Sequence, residues 1–273
     1  MPELPEVETT LRGIKSSVLN QTITHVIVRH RGLRWPIPTG LEKTLQNQTV
    51  RQLSRRGKYL LLTFDHGTLI LHLGMSGRLR ILSDAIPPQK HDHVDIHFSN
   101  KKYLRYTDPR RFGAILWTDE PINNHPLLVK LGPEPLLNAF DADYLFKKSR
   151  HKKVSIKSFI MTNEIVVGVG NIYATESLFQ ARIHPNKPAG EVALADYKKL
   201  VTAIKKILRQ AIEKGGTTLK DFTQSDGKPG YFSIQLKVYG NAGKPCPRCK
   251  TTLSTCRIGQ RASVYCEKCQ MIN

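Results

Sequence analysis

The sequence predicts a multidomain α+β protein: a helix and a β-layered domain, then a helical domain, then a small cysteine module. Three observations carry that expectation. Short β-rich segments separated by turn residues fill positions 22–118. Pro121, Pro126, Pro133 and Pro135 then interrupt the pattern, and helical periodicity replaces it as far as position 214. All five cysteines fall after residue 245, four of them as Cys246-x2-Cys249-x16-Cys266-x2-Cys269. With 273 residues there is chain enough for about two domains that each bury a core.

Val7, Leu11, Ile14 and Val18 recur at helical spacing, so 5–18 is expected to be an amphipathic helix with Pro5 in its first turn. Strands are expected at 22–28, 49–53, 59–64, 68–73, 77–82, 93–98, 102–106 and 114–118, with Asp65-His66-Gly67 as a hairpin turn. So many short strands at this spacing form a sandwich or barrel over 20–120. Helices are expected at 141–149, 152–162, 172–181 and 194–214. The last is the clearest: Leu194, Tyr197, Val201, Ile204, Leu208 and Ile212 share one face, and Gly215-Gly216 stops it. The polar, aperiodic stretch 217–231 is expected to be a mobile loop.

Lys and Arg number 42 against 22 Asp and Glu, a formal charge of +20, and the pI is about 9.9. A catalyst for neutral small molecules has no use for that excess, and the cations are spread from Arg29 to Arg209 instead of forming a tail. A broad surface for duplex nucleic acid is the better reading. No apolar run suits a signal peptide, and none approaches the roughly 20 residues of a membrane span. The cysteine spacing favours metal over disulfides, so a reducing, cytoplasmic setting without membrane association is expected.

Four thiolates in two knuckles make a closed tetrahedral zinc site, with no open position for water and hence a structural role. Arg261, in Gly259-Gln260-Arg261, falls between the knuckles at the expected tip of a hairpin, where a cation can meet a phosphate. Cys256 stands outside the ligand spacing. Gly168-Val169-Gly170-Asn171 forms a tight turn in which Asn171 can cap the next helix, whose N-terminus suits an anion. No strand precedes it and a third glycine is missing, which argues against a dinucleotide cradle.

The loops His72 to Gly77 and Asp108 to Gly113 carry Met75 and Phe112 beside Arg110. Such residues either end strands in the core or wedge into a base stack while the arginine pairs with a base. At the other end, removal of Met1 makes Pro2 a free secondary amine. It would titrate at about 8 and be nucleophilic at neutral pH, with the Glu3 carboxyl adjacent. On these residues alone a helix start is the simpler reading.

Taken in this order, Pro2-Glu3-Leu4-Pro5-Glu6, Arg55-Arg56-Gly57-Lys58-Tyr59, the two loops, Lys90-His91-Asp92-His93, Gly168 to Tyr173 and the cysteine module resemble the formamidopyrimidine-DNA glycosylase family over essentially the whole chain. The resemblance implies an N-terminal helix with a two-layer β-sandwich in a catalytic domain at 1–133. It further implies a helix-two-turns-helix domain at 134–236, with a lesion-closing loop at 217–231, and a four-cysteine zinc finger at 237–271. It implies a bifunctional glycosylase and abasic-site lyase of base excision repair that removes 8-oxoguanine and formamidopyrimidines. Pro2 would form the Schiff base, Glu3 would protonate the sugar, and Lys58 and Arg261 would be the donors for β- and δ-elimination. His91, Arg110, Lys152, Lys157 and Asn171 would contact DNA, with Lys58, Lys157 and Asn171 on phosphates. Met75, Arg110 and Phe112 would fill the hole left by the flipped nucleotide.

One structural zinc, a monomeric enzyme and a bacterial cytoplasmic location follow from the same resemblance, with duplex DNA containing oxidised purines or abasic sites as partner. The sister endonuclease VIII type, which acts on oxidised pyrimidines, typically has Gly where Leu4 stands and lacks the set formed by Met75, Arg110 and Phe112. A non-enzymatic zinc protein that only binds DNA would share the charge and the cysteines but would need no Pro2 amine.

The charge argument has a direct test. Phosphate contacts release counterions, so affinity for undamaged duplex is expected to fall about a thousandfold or more between 50 and 200 mM salt. An affinity independent of salt would remove the polyanion reading.

Overall fold

A computed structural model describes residues 2–83, 86–216 and 236–272 of the chain, so Met1 and the expected loop at 217–231 lie outside the described residues. Two compact units divide it, one running to Val129 and resuming at Lys214, the other holding Lys130–Glu213 and the C-terminal module.

In the first unit, helix α1 (Leu4–Val18) buries Leu4, Val7, Leu11, Ile14 and Val18, the face its spacing predicts. Strand β1 (Ile23–Val28) and a short helix α2 (Leu41–Leu45) follow. Then come β2 (Gln52–Arg56), β3 (Tyr59–Phe64), β4 (Gly67–His72), β5 (Arg78–Leu82), β6 (Asp92–Phe98), β7 (Tyr103–Thr107) and β8 (Ala114–Thr118). They pair antiparallel into two four-stranded sheets, ordered β1-β6-β7-β5 and β2-β3-β4-β8. One continuous apolar core draws on both sheets and on α1, including Ile14, Leu62, Leu71, Val94 and Leu104. This is the two-layer sandwich, with α1 packed against β2 and β3 of one sheet and β5 of the other. The hairpin expected at Asp65-His66-Gly67 is present, with Phe64 opposite Gly67.

In the second unit, α3 (Ala142–Ser149), α4 (Ile156–Met161), α5 (Asn171–Ala181) and α6 (Leu194–Glu213) form the helical domain. The turns at 162–170 between α4 and α5 make the helix-two-turns-helix. The hairpin β9 (Ser254–Ile258) and β10 (Arg261–Tyr265) belongs to the cysteine module.

Three differences from expectation have local causes. Helix α4 does not begin at 152, because the 152–156 backbone bonds instead to a neighbouring segment. Gly190 N–H donates to Lys152 O, Ala189 N–H to Val154 O and Ile156 N–H to Lys187 O, at 2.7–2.9 Å. Ser155 then caps the helix, accepting from Ser158 N–H at 3.2 Å. Strand β2 is shifted to 52–56, since Thr49 makes only an isolated bridge to Thr22. Gly170, not Asn171, is the N-cap of α5; Asn171 is its first residue. No helix among the described residues is long and apolar enough to cross a membrane.

Candidate functional site

The head of α1 is built by a capping box. Glu3 is the N-cap, its backbone N–H donates to Glu6 Oε2 at 2.8 Å, and its own side chain accepts from the Glu6 backbone. Pro2, Glu3 and Glu6 are all buried, Glu3 at 2% exposure and Glu6 at 0%. These bonds set the direction in which Pro2 leaves the helix. One turn further on, Glu8 joins α1 to the β2–β3 turn: Arg55 Nε donates to Glu8 Oε2 at 3.0 Å and Arg55 Nη1 to Gly57 O at 2.8 Å. Burial alone would raise the Glu8 pKa, but hydrogen bonds from Arg55 and Arg12 outweigh it and hold the carboxyl below its usual range. Lys58 sits half-buried on that turn. Nearby His72, on β4, is kept neutral; burial pushes its pKa down to about 4, with repulsion from Lys58 and Arg34 adding to the effect. Its Nδ1 accepts Gly74 N–H at 3.1 Å, which settles the tautomer.

Met75 is half-buried in the 73–77 loop, whereas Arg110 and Phe112 are exposed in the 108–113 loop. Phe112 is 45% exposed, with the Arg110 guanidinium 4.9 Å from its ring centroid. It is therefore not a core residue. The loops meet backbone to backbone: Gly74 has φ +59, and a Cβ there would lie 2.4 Å from the Phe112 carbonyl carbon.

His91 precedes β6 in a segment tied down by buried charge. Arg105, 2% exposed, donates from Nε and Nη2 to Asp95 at 2.8 Å each, from Nη1 to Asp92 Oδ2 at 3.3 Å and to Pro87 O at 3.4 Å. Asp92 Oδ2 also accepts Gln89 N–H at 2.9 Å. Asp92 and Asp95 would face opposite sides of a regular strand. A register shift between Asp92 and Val94 makes His93 an extra residue and turns both carboxylates towards Arg105. Arg29, His30, Lys90, His91 and Arg111 line a cationic cleft of about 650 Å³ over this segment. Asp92 stands in the Lys90-His91-Asp92-His93 motif, but neither its pairing nor that of Asp95 with Arg105 was legible in the sequence. The available signal was two acids within a strand otherwise rich in Val, Ile and Phe.

In the second unit, Lys152 is exposed, and Arg261 opens β10 directly after a two-residue turn. Gly259 and Gln260 take φ +52 and +60, the left-handed pair that a type I′ hairpin requires. Lys157 is placed differently from an open phosphate ligand. It is 1% exposed, with Nζ donating to Ser263 Oγ at 2.6 Å and to Ala262 O at 3.3 Å. Asn171 Nδ2 donates to the same Ala262 carbonyl at 3.3 Å. The first residues of β10 are thereby tied to α4 and to the N-terminal end of α5.

The four cysteine sulfurs lie within 4.8 Å of one another, and Cys249 and Cys266 Sγ are 3.4 Å apart. Zinc–sulfur bonds of about 2.3 Å imply tetrahedral edges of about 3.8 Å, so the cluster fits a structural zinc ion. Buried Glu176 on α5 anchors the start of the module by accepting the N–H groups of Lys237, Val238 and Tyr239 at 2.8–3.0 Å. Gln270 Nε2 holds the other end, donating to Ile183 O at 2.8 Å.

Comparison with known proteins agrees with this geometry. Residues 1–115 match the formamidopyrimidine-DNA glycosylase N-terminal domain, 131–223 its H2TH domain, and 243–271 a zinc finger found in FPG and IleRS. The formamidopyrimidine-DNA glycosylases of Pseudomonas savastanoi and Photobacterium profundum are each 56% identical over 270 residues, covering 99% of this chain and 100% of theirs. Lactococcus lactis Fpg bound to DNA with an abasic site superimposes with a TM-score of 0.91 at 33% identity, over 99% of this chain and 100% of that one. A Lactococcus lactis FPG mutant with a Fapy-dG containing DNA gives 0.92, also at 33% identity and with the same coverage. MutM (FPG) from Thermus thermophilus gives 0.89 at 34% identity, over all of both chains. Sandwich, helix-two-turns-helix and zinc finger together define a DNA glycosylase of base excision repair. The chain belongs to the formamidopyrimidine-DNA glycosylase family.

Two outcomes are expected from the site. The first concerns zinc: chelation, or Cys249→Ser, should release one equivalent of metal, disorder the β9–β10 hairpin and lower DNA affinity at least about tenfold, since the module's core is the ion. Full affinity in metal-free protein would contradict this. The second concerns pH. Free histidine takes up a proton near 6.5, but folded His72 does so only near 4. Its neutral burial therefore supports stability fully above pH 6.5, and about 3 kcal/mol is lost as pH falls through that window. Relative to wild type, His72→Asn should be progressively less sensitive to acid between pH 6.5 and 4 in urea unfolding. Parallel stability curves would exclude the assignment.

Proposed function

We propose that the chain excises oxidised purines, chiefly 8-oxoguanine and formamidopyrimidines, from duplex DNA and then cuts the strand by β,δ-elimination. The observation that supports this reading is the buried capping box at the head of α1, in which Glu3 is the N-cap and Pro2, the residue before it, is also buried. With Met1 removed, the Pro2 nitrogen attacks C1′ of the flipped nucleotide as the damaged base departs with the glycosidic electron pair. Glu3 protonates the sugar ring oxygen as the ring opens, and loss of the amine proton leaves an iminium at C1′. The iminium acidifies C2′–H, so that proton leaves and the 3′ phosphate is expelled; a second elimination expels the 5′ phosphate. Lys58 is the proton donor for the first elimination and Arg261 for the second. The complexes of the Lactococcus relative with Fapy-dG containing DNA and with abasic-site DNA support these two kinds of DNA as ligands.

Apart from Arg261 the catalytic residues belong to 1–133, and the grip on DNA extends through 134–236 and the finger at 237–271, which also supplies Arg261. In the first unit His91 contacts DNA, Lys58 also meets phosphate, and Met75, Arg110 and Phe112 enter the space vacated by the base, where Arg110 reads the orphaned cytosine. In the second unit Asn171 and Lys152 contact the backbone. Lys157, buried against Ser263, holds the Arg261 strand and acts on phosphate through it. Zinc is held by Cys246, Cys249, Cys266 and Cys269 and keeps that module folded. The enzyme acts as a monomer in the bacterial cytoplasm, at the nucleoid.

Borohydride should trap a covalent complex between fully Met-cleaved protein and a duplex carrying 8-oxoguanine opposite cytosine; absence of any trapped species would sink the Schiff-base reading. Arg110→Ala should reduce the preference for cytosine over adenine opposite the lesion by about 10- to 100-fold in single-turnover excision, the worth of one good bidentate base contact. An unaltered preference would remove Arg110 from that role.

A further inference from the structure

Asp108 is fully buried, at 0% exposure, where the two proposed void-filling loops meet. Its Oδ1 accepts the Ser76 hydroxyl at 2.7 Å, and Ser76 Oγ in turn accepts the Arg110 backbone N–H at 3.1 Å. Its Oδ2 accepts Gly113 N–H at 2.9 Å, and the Tyr106 hydroxyl lies 3.4 Å away. The main chain of the same residue is also engaged. Its N–H donates to His91 O at 3.0 Å, and its carbonyl accepts Arg111 N–H at 3.2 Å. His93 Nε2 lies 2.8 Å from that carbonyl, which can only accept, so Nε2 carries the proton. One residue thus links the Met75 loop, both ends of the Arg110–Phe112 loop and the His91 segment.

We infer that Asp108 is the positioning residue for Met75, Arg110 and Phe112, locking their two loops into one arrangement before DNA is bound. The inference rests on the void-filling reading given above. Two flexible loops would have to be ordered at the moment of insertion, at the expense of affinity and selectivity. Loops already joined through a buried carboxylate avoid that ordering step. The carboxylate is suited to the task because it offers acceptors on both oxygens to donors approaching from opposite sides. Asparagine has nearly the same shape but one acceptor oxygen. If that oxygen keeps Gly113, the amide N–H groups face Ser76 Oγ, which already accepts from Arg110, and the Ser76 hydroxyl proton loses its partner.

The test measures single-turnover excision of 8-oxoguanine opposite cytosine and opposite adenine by zinc-loaded wild type, Asp108→Asn, Arg110→Ala and the double variant. Asp108→Asn is expected to reduce the cytosine-to-adenine rate ratio about tenfold, and the double variant to be no worse than Arg110→Ala alone. A purely structural role would lower both rates together and leave the ratio intact; a wild-type ratio in Asp108→Asn would overturn the inference. Should that variant not fold, Ser76→Ala severs only the link from Oδ1 to Arg110, and should lower the same ratio a few-fold; an unchanged ratio would again overturn it. Arg110→Ala with a wild-type ratio would instead refute the void-filling reading itself, and the positioning role with it.

Discussion

The reciprocal hydrogen bonds between Glu3 and Glu6 are the constraint on which the first unit depends. They turn the first residues of the chain from a free end into a buried helix start, and they do so with side chains that would be costly to bury unpaired. From there α1 is held along its length, by its apolar face in the sandwich core and by the Glu8–Arg55 bond to the Lys58 turn. A nucleophile at a chain terminus needs such a frame, because a frayed end would lose the effective concentration that proximity gives.

The same device, buried charge used to fix a surface loop, recurs through the unit. Arg105 with Asp92 and Asp95 holds the His91 segment, and Asp108 holds the two loops that carry Met75 and Arg110. In each case none of the exposed side chains is acidic and the acids lie underneath. The acidic residues thus organise a surface that remains cationic towards DNA. In the second unit buried Lys157 plays the corresponding part for the hairpin that carries Arg261, and the zinc cluster holds the far side of that hairpin.

Much of the fold was legible because it rests on local periodicity. The α6 face and the strands at 59–64 and 114–118 appear where alternation and helical spacing put them. What escaped depends on long-range partners. The start of α4 is set by backbone bonds to 187–190, and Asn171 is drawn to Ala262. The parity of Asp92 and Asp95 is set by a bulge that no pattern in the strand announces. For the site, composition and cysteine spacing supplied a nucleic-acid surface and zinc, whereas the reaction came from the family resemblance. That Lys157 is buried, and that Asp108 gathers two loops, became visible only in three dimensions.

The central claim is that the Pro2 nitrogen must be a free amine held at the head of α1. With Met1 attached that nitrogen is an amide, which can neither attack C1′ nor form an iminium. The most direct measurement compares protein verified by mass to begin at Pro2 with protein verified to retain Met1, in single-turnover cleavage of an abasic-site duplex. The account predicts strand cleavage by the first and none by the second, with both binding the duplex. Equal cleavage by the two would contradict it.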